Sequence, residues 1–304
     1  METAPELVVE SSALHPPLSG VGLYTRELLK AYAALPGHFP VKILAYRFFP
    51  RRRPGPQEAY LAGLAGELGG SVEVRRRPLP SAVYATLRRR ALRVPFPLDL
   101  FPSRRPRLHF FPNFVGEPLV RSFCIPVVYD FGFLHFLGKL QNRDHLFLKR
   151  YLPRTLRRAT RVVVISKSVG AELEARYGVP PEKIAVVHPA VDPDVFRPDI
   201  PSGRREAVRK VHGLDSPYIF SLSTLEPRKN FAGLVEAYAL LPEDIRKRCP
   251  LVIAGGRGWK NEDIFAALRR LSLENRVKFL GYIPEEDRAP LMREAELFVL
   301  PSLY

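Results

Sequence analysis

The segment Thr224-Leu-Glu-Pro-Arg-Lys-Asn230 sets two cations, a carboxylate and a proline within one short stretch. Arg228 offers a planar fork of donors and Lys229 a compact point charge, a pairing suited to a diphosphate. The apolar run Tyr218–Ser223 before it reads as a buried strand. After it, apolar residues at 231, 234, 235, 238 and 241 mark a helix with one buried face. The basic loop therefore enters a helix N-terminus, where free N–H groups and partial positive charge attract phosphate. Two cations at that end oppose the helix dipole, so the loop is expected to cost stability until an anion binds. The same pattern also describes a plain solvated turn from strand to helix.

A second place of this kind lies near the start. Leu7–Val9 reads as a strand, Ser11–Ser19 as a polar loop, and Gly20-Val-Gly22 as the opening of a helix that Pro36-Gly37 ends. Glycines there let a ligand approach backbone N–H groups closely, or simply allow a tight turn.

These loops need a frame, and the rest of the chain supplies one. Strands are expected at Val41–Tyr46, Ser71–Val74, Leu108–Phe111, Ile125–Tyr129, Arg161–Ile165 and Ile184–Val187. Helices are expected at Gln57–Leu68, Asp144–Arg158 and Lys167–Tyr177, the last capped by Ser166 and closed by Gly178. The proline-rich stretch His188–Pro201 separates this half from a second one. There, strands at 218–223, 251–254, 277–280 and 297–300 alternate with helices at 231–241, 262–271 and 285–294. Such alternation predicts parallel sheets with helices on both faces, hence an α/β protein with two Rossmann-like lobes, 1–198 and 199–304. In these sheets ligands bind at the carboxyl edge of the strands. Arg228, Lys229, Gly255, Gly256 and Gly281 all fall on that edge.

Composition narrows the classes. The chain has 304 residues, enough for two domains, and 46% hydrophobic content excludes a mostly disordered polymer. No apolar run approaches the ~18 residues that span a bilayer. The acidic start, Met1–Glu6, lacks the apolar core of a signal peptide. Cys124 and Cys249 lie far apart and fit a reducing cytosol. Net charge is +16, and residues 1–200 carry 30 Lys and Arg against 17 Asp and Glu. The excess comes as runs at Arg51–Arg53, Arg75–Arg77, Arg88–Arg90 and Arg104, Arg105 and Arg107. Such runs favour a polyanion or an anionic bilayer surface, and an arginine-rich genome produces them as solvated faces too. No module interleaving aromatic and basic residues is visible, so nucleic acid is not the expected partner. The basic, proline-broken region 47–107, including a basic amphipathic helix at Ser81–Leu92, is the expected contact for an acceptor or a membrane.

Together these residues resemble a GT-B glycosyltransferase of family 4, also labelled glycosyl transferases group 1, over nearly the whole chain. The most specific likeness is Leu225-Glu-Pro-Arg-Lys-Asn230 followed by Leu251-Val-Ile-Ala-Gly-Gly256 and Val277-Lys-Phe-Leu-Gly-Tyr282. Val164-Ile-Ser-Lys-Ser168, Tyr177-Gly178 and Val191-Asp192 match the ending of the family's first lobe. The resemblance implies two lobes facing a cleft, an acceptor-side lobe first and a nucleotide-sugar donor lobe second. It implies that Arg228 and Lys229, with Glu226 in the same motif, hold the donor diphosphate, which Gly20 and Gly22 face across the cleft. Gly255, Gly256, Gly281, Tyr282 and Ile283 lie by the nucleotide, the last three mostly through backbone. Tyr129-Asp130 stands where the family usually has His-Asp near the transferred sugar, which marks both as catalytic candidates. Ser223 replaces a common glycine. The family's acidic segment, which grips sugar hydroxyls and ribose, is expected just beyond Tyr304, so the second lobe reads as incomplete.

The implied activity is retaining transfer of a hexose such as mannose from a nucleoside-diphosphate sugar to a lipid-linked or polysaccharide acceptor. The sugar nucleotide is a co-substrate, and neither a cofactor nor a metal is expected. The implied location is cytoplasmic, with peripheral contact at an anionic inner membrane face. The competing reading is an inactive fragment or pseudoenzyme that only binds sugar nucleotides or anionic surfaces.

Overall fold

The computed structural model describes residues 4–46, 55–70, 72–77, 105–117, 119, 121–135, 142–258 and 260–304. The predicted helix at Ser81–Leu92 and the runs Arg51–Arg53 and Arg88–Arg90 lie outside these residues. One compact unit takes in the described residues up to Leu134 and Asn142–Ala190, and the second takes in His135 and Val191–Tyr304.

The first unit is built on β1 (Glu6–Glu10), β2 (Val41–Tyr46), β3 (Val72–Arg77), β4 (Arg107–Phe111), β5 (Phe123–Val128), β6 (Val162–Val164) and β7 (Ile184–Val186). They pair in the order β3-β2-β1-β4-β5-β6-β7, each neighbour parallel. The chain adds strands outward on one side of β1, then crosses to β4 and proceeds the other way. Beside β1 and β4 the order therefore reverses, and open α/β sheets carry ligands at such a point. Val9, Ile43 and Val127 are fully buried in the core that packs on this sheet, together with Leu29 from the helix Gly20–Ala33 and Leu61 from the helix Pro56–Glu67.

The second unit repeats the plan with β8 (Ile219–Leu222), β9 (Leu251–Ala254), β10 (Val277–Gly281) and β11 (Leu297–Phe298) in the parallel order β10-β9-β8-β11. Here the order reverses between β8 and β11. Val235, Leu251, Ile253 and Leu273 fill one face of this sheet, and Tyr218, Phe220, Val252, Ile283 and Leu291 fill the other. Every residue of β9 is buried, as a strand covered on both faces requires.

Differences from the expected elements have local causes. β3 runs on through Arg75–Arg77 because it keeps pairing with Leu44–Tyr46 of β2. The unexpected helix Ser202–Val211 follows Pro201, and its arginines hold the helix Glu285–Glu294: Arg204 reaches Asp287, and Arg205 and Arg209 both reach Glu294, while the ring of His212, just past the helix end, also lies against Asp287. Ser166 caps the helix Lys167–Tyr177 by accepting from Val169 N at 3.1 Å, and Gly178 closes it in the left-handed region. Under the first sheet's amino edge, buried Glu6 accepts from Lys42 at 2.5 Å and from Arg107 at 2.9 Å. Burial raises the Glu6 pKa, but the two charged donors outweigh it and hold the carboxyl below the usual range.

Candidate functional site

The basic loop leaves β8 at the point where the second sheet reverses order. Pro227–Lys229 forms one 3₁₀ turn, with Lys229 N donating to Glu226 O at 3.0 Å. Asn230 follows in the left-handed region, φ 57°, and its carbonyl accepts from Leu234 N as the helix Phe231–Ala239 begins. The two cations were expected to strain this helix end. The structure adds a feature to that expectation: Glu226 supplies an internal counter-charge 2.6 Å from the Arg228 guanidinium. The Glu226 carboxylate thus meets the Arg228 fork.

Neighbouring loops fix the frame of this one. Leu225 N donates to Gly256 O at 3.0 Å, and Gly255 N donates to Gly281 O at 2.7 Å. Gly255 has φ +137°, and a Cβ there would lie 1.9 Å from the Ser223 carbonyl oxygen. A Cβ on Gly258 would meet the Leu225 carbonyl oxygen at 2.4 Å. Both glycines therefore have a packing reason to be glycine. Gly256 has open space around its Cα, and Gly281 takes the left-handed region, φ +70°, with no close neighbour. Tyr282 is exposed, whereas the Ile283 side chain sits in the core of the unit. From the far side, Leu303 N donates to Arg228 O at 3.0 Å, and the Ser221 hydroxyl donates to Val299 O at 2.6 Å.

In the first unit, the two N-terminal glycines separate. Ser19 caps the helix, accepting from Gly22 N. Gly20 is exposed with nothing within 4 Å of a notional Cβ, while one on Gly22 would lie 2.5 Å from Ala13 O. Gly22 is thus required by packing and Gly20 is not. Asp130 accepts from Gly132 N at 2.9 Å, where the short helix Gly132–His135 starts. Tyr129 is buried, and its hydroxyl donates to Pro112 O at 2.8 Å. Its ring meets Tyr24 edge-on and Phe114 at a tilt, each at 5.5 Å. Burial pushes the Tyr129 phenol well above its ordinary value, so it stays neutral at any physiological pH.

The sequence profile of Glycosyltransferase Family 4 matches residues 18–195, more than half of the chain. The chain belongs to this family. A second profile, Glycosyl transferases group 1, matches residues 204–304. An O-antigen chain mannosyltransferase B of Escherichia coli is 26% identical over 305 residues, covering 98% of this chain and 77% of that protein. A D-inositol 3-phosphate glycosyltransferase of Mycobacterium sp. (strain KMS) is 31% identical over 150 residues, covering 47% of this chain and 32% of that one. Among solved structures, Anabaena Alr3699/HepE in complex with UDP and glucose superposes with a TM-score of 0.64 at 17% identity, over 97% of this chain and 74% of that one. Sucrose-phosphate synthase from Thermosynechococcus elongatus gives 0.65 at 18%, over 99% and 76%. These likenesses show the fold, which is that of the GT-B glycosyltransferases.

Within this family-4 chain, three features of the site were not anticipated from the sequence. Gly258 carries a close approach that only its neighbour Gly255 had suggested. The Asn230 side chain lies 2.6 Å from where a Gly233 Cβ would be, so a larger residue at 233 would make Asn230 turn aside. The Asn-x-x-Gly spacing is the signal that could have found it. The tie from Leu303 to Arg228 spans the reversal of strand order and has no local signature at all.

Proposed function

We propose that this chain transfers a hexose, mannose foremost, from a nucleoside-diphosphate sugar to a lipid-linked or glycan acceptor, with retained anomeric configuration. The observation that carries the reading is the Arg228–Lys229 pair at a helix N-terminus, on the reversal point of the second sheet, in loops held by three neighbouring backbone contacts. Preorganised cations and N–H groups there would stabilise the charge that develops on a leaving diphosphate, and the reading requires no metal or organic cofactor. Glu226 then acts as a positioning residue that aims the Arg228 fork. Gly255, Gly256 and Gly281 offer backbone to the nucleotide, Tyr282 an exposed ring, and Ile283 backbone alone. In the first unit, Gly20 is the open backbone position and Asp130 the polar candidate beside the sugar. Tyr129 supports Asp130 through its bond to Pro112 O and donates no proton itself. The mannosyltransferase relative favours mannose as the sugar, and the UDP-bound neighbour favours a nucleotide ligand in this fold.

The test is saturation-transfer NMR against a panel of sugar nucleotides, followed by a transfer assay with the preferred one. Arg228→Ala and Lys229→Ala should each weaken sugar-nucleotide binding by about 1.5–3 kcal/mol, the usual worth of hydrogen bonds to charged groups. Wild-type affinity in both variants would refute the assignment of the clamp.

A further inference from the structure

We infer that the Ser12 hydroxyl, held by the buried Glu10 carboxylate, selects an uncharged acceptor sugar over a phosphorylated one. The inference rests on the reading of the chain as transferring sugar to a hydroxyl-bearing acceptor, and it names that acceptor's chemistry. Strand β1 has a buried carboxylate at each end. Glu6, at the amino end, is held by two cations, Lys42 and Arg107. Glu10, at the carboxyl end, is as deeply buried, but its partners among the described residues are both on Ser12. The Ser12 N–H donates to Oε1 at 3.0 Å, and the Ser12 hydroxyl donates to Oε2 at 2.6 Å.

A hydroxyl has one proton to give. Ser12 gives it to Glu10, so its exposed oxygen faces solvent as a hydrogen-bond acceptor backed by negative charge. Such a group takes a sugar hydroxyl, which donates, and repels a phosphate, which brings negative charge. The same repulsion sets it apart from a donor diphosphate, so the sugar it fits is the acceptor's. Its place agrees with this. β1 lies beside β4 where the strand order reverses, and Glu10 ends β1 on the carboxyl edge, where open α/β sheets take their ligands.

The plainer reading, that Glu10 only holds the turn after β1, falls short. Ser11 already ties that turn down: its Oγ donates to Leu44 O at 2.5 Å, and its carbonyl accepts from Leu14 N and from Gln57 Nε2, each at 2.9 Å. A neutral glutamine would serve Ser12 N equally well, whereas a buried carboxylate without a cation costs stability. Departures of this kind mark positions kept for function.

The experiment is saturation-transfer NMR and titration of the full chain with methyl α-D-mannopyranoside, mannose 6-phosphate and GDP-mannose. The wild-type chain should bind the methyl mannoside at least about tenfold more tightly than mannose 6-phosphate, the ratio that a hydrogen bond to a charged group supports. In Glu10→Gln the amide donates to Ser12 Oγ and frees the Ser12 proton to point outward. That variant should therefore narrow or reverse the preference, with GDP-mannose affinity unchanged. Ser12→Ala should weaken methyl mannoside binding about three- to tenfold, the worth of one neutral hydrogen bond, and also leave GDP-mannose unchanged. Its side chain is exposed, so its fold should be that of the wild type, and it decides the matter if Glu10→Gln unfolds. Glu182→Gln, which removes an exposed charge of the same unit, should alter none of these affinities. No binding of methyl mannoside to the wild-type chain, or a preference that both variants keep, overturns the inference. So does a loss of GDP-mannose binding in parallel with methyl mannoside, which would give the site to the donor. Failure to bind GDP-mannose or any other sugar nucleotide, with a mannoside preference that Glu10→Gln abolishes, would instead count against the clamp at Arg228 and Lys229 and leave the Ser12 site standing.

Discussion

The carboxyl edges of the two sheets share a topology and differ in chemistry. In the second unit, the edge is charged and held by backbone, with Arg228 balanced by Glu226 and neighbouring loops packed so closely at Gly255 and Gly258 that a Cβ there would overlap backbone. In the first, the described edge is largely aromatic, with Tyr129 bonded to Pro112 O and packed by Tyr24 and Phe114, and the Asp130 carboxylate beside it accepts from Gly132 N. The first unit nevertheless carries most of the net charge. Its described cations are spread over the unit: Lys42 and Arg107 meet Glu6 under the sheet's amino edge, and others lie on the helices Gly20–Ala33, Asn142–Arg158 and Lys167–Tyr177. Net charge therefore reports on partners and on packing, while the chemistry of each edge is set by a few residues at strand ends.

The sharpest break in this comparison should come from Gly255→Ala. The new Cβ would overlap a backbone oxygen that β8 fixes, in a region of φ that side chains rarely adopt. A loss of about 4 kcal/mol or more is expected, read by urea unfolding, with the second unit losing structure before the first. Gly256→Ala, with open space around it, should cost under about 0.5 kcal/mol, as for an ordinary surface change. Similar losses in the two variants would mean that the loops do not hold each other.

Next in size is Glu6→Gln, which tests whether the first unit's charge is structural. Glu6 is buried, but its partners are partly exposed, so the loss should fall below the 3–5 kcal/mol of a fully buried pair, at about 2–3 kcal/mol near neutral pH. The folded carboxyl titrates below its unfolded value. Its contribution is therefore fully present above the unfolded pKa of about 4.3 and is lost as pH falls through the folded one. The gap between wild type and variant should close in that acidic window and stay constant from pH ~5 to 8. A gap that grows with acidification would contradict the assigned role.

Much of this was legible in the sequence because strand ends and helix caps have local signatures. The loop 224–230, the Ser166 cap and the Gly178 stop all follow from residue type and spacing, and the alternation of elements predicted both parallel sheets. What escaped depends on partners distant in sequence. Glu226 could be placed in the motif but not assigned to Arg228 without the turn that brings them together. Tyr129 looked like a substitute for a catalytic histidine, and only the position of Pro112 O reveals where its hydroxyl goes. The helix Ser202–Val211 has few apolar residues, and the carboxylates that its arginines meet lie far on in sequence, on the helix Glu285–Glu294.

Tyr129→Phe tests the role of the buried phenol at the first edge. Removing the hydroxyl leaves the buried Pro112 carbonyl without that donor, so stability should fall by about 1–2 kcal/mol. Because the phenol stays neutral, the loss should be flat from pH 6 to 9, and turnover at saturating donor should hold within a few-fold. A turnover collapse with unchanged stability would instead make Tyr129 a catalytic residue.

The smallest expected effect concerns Gly20, where stability and function should part. Its backbone is compatible with any residue, its surroundings are open, and it sits in the first turn of a capped helix. Alanine there restricts the unfolded chain more than the folded one, so Gly20→Ala should stabilise the first unit by about 0.4–1 kcal/mol. Gly22→Ala, blocked by Ala13 O, should destabilise it, which shows that the two glycines are not one motif with one purpose. If Gly20 is glycine so that a ligand can approach the helix N-terminus, the added methyl should weaken sugar-nucleotide binding several-fold in the more stable protein. Thermal unfolding and ligand titration of the same variant decide the matter. Higher stability with unchanged affinity would remove Gly20 from the site and leave the first unit's edge without a backbone contact to the donor.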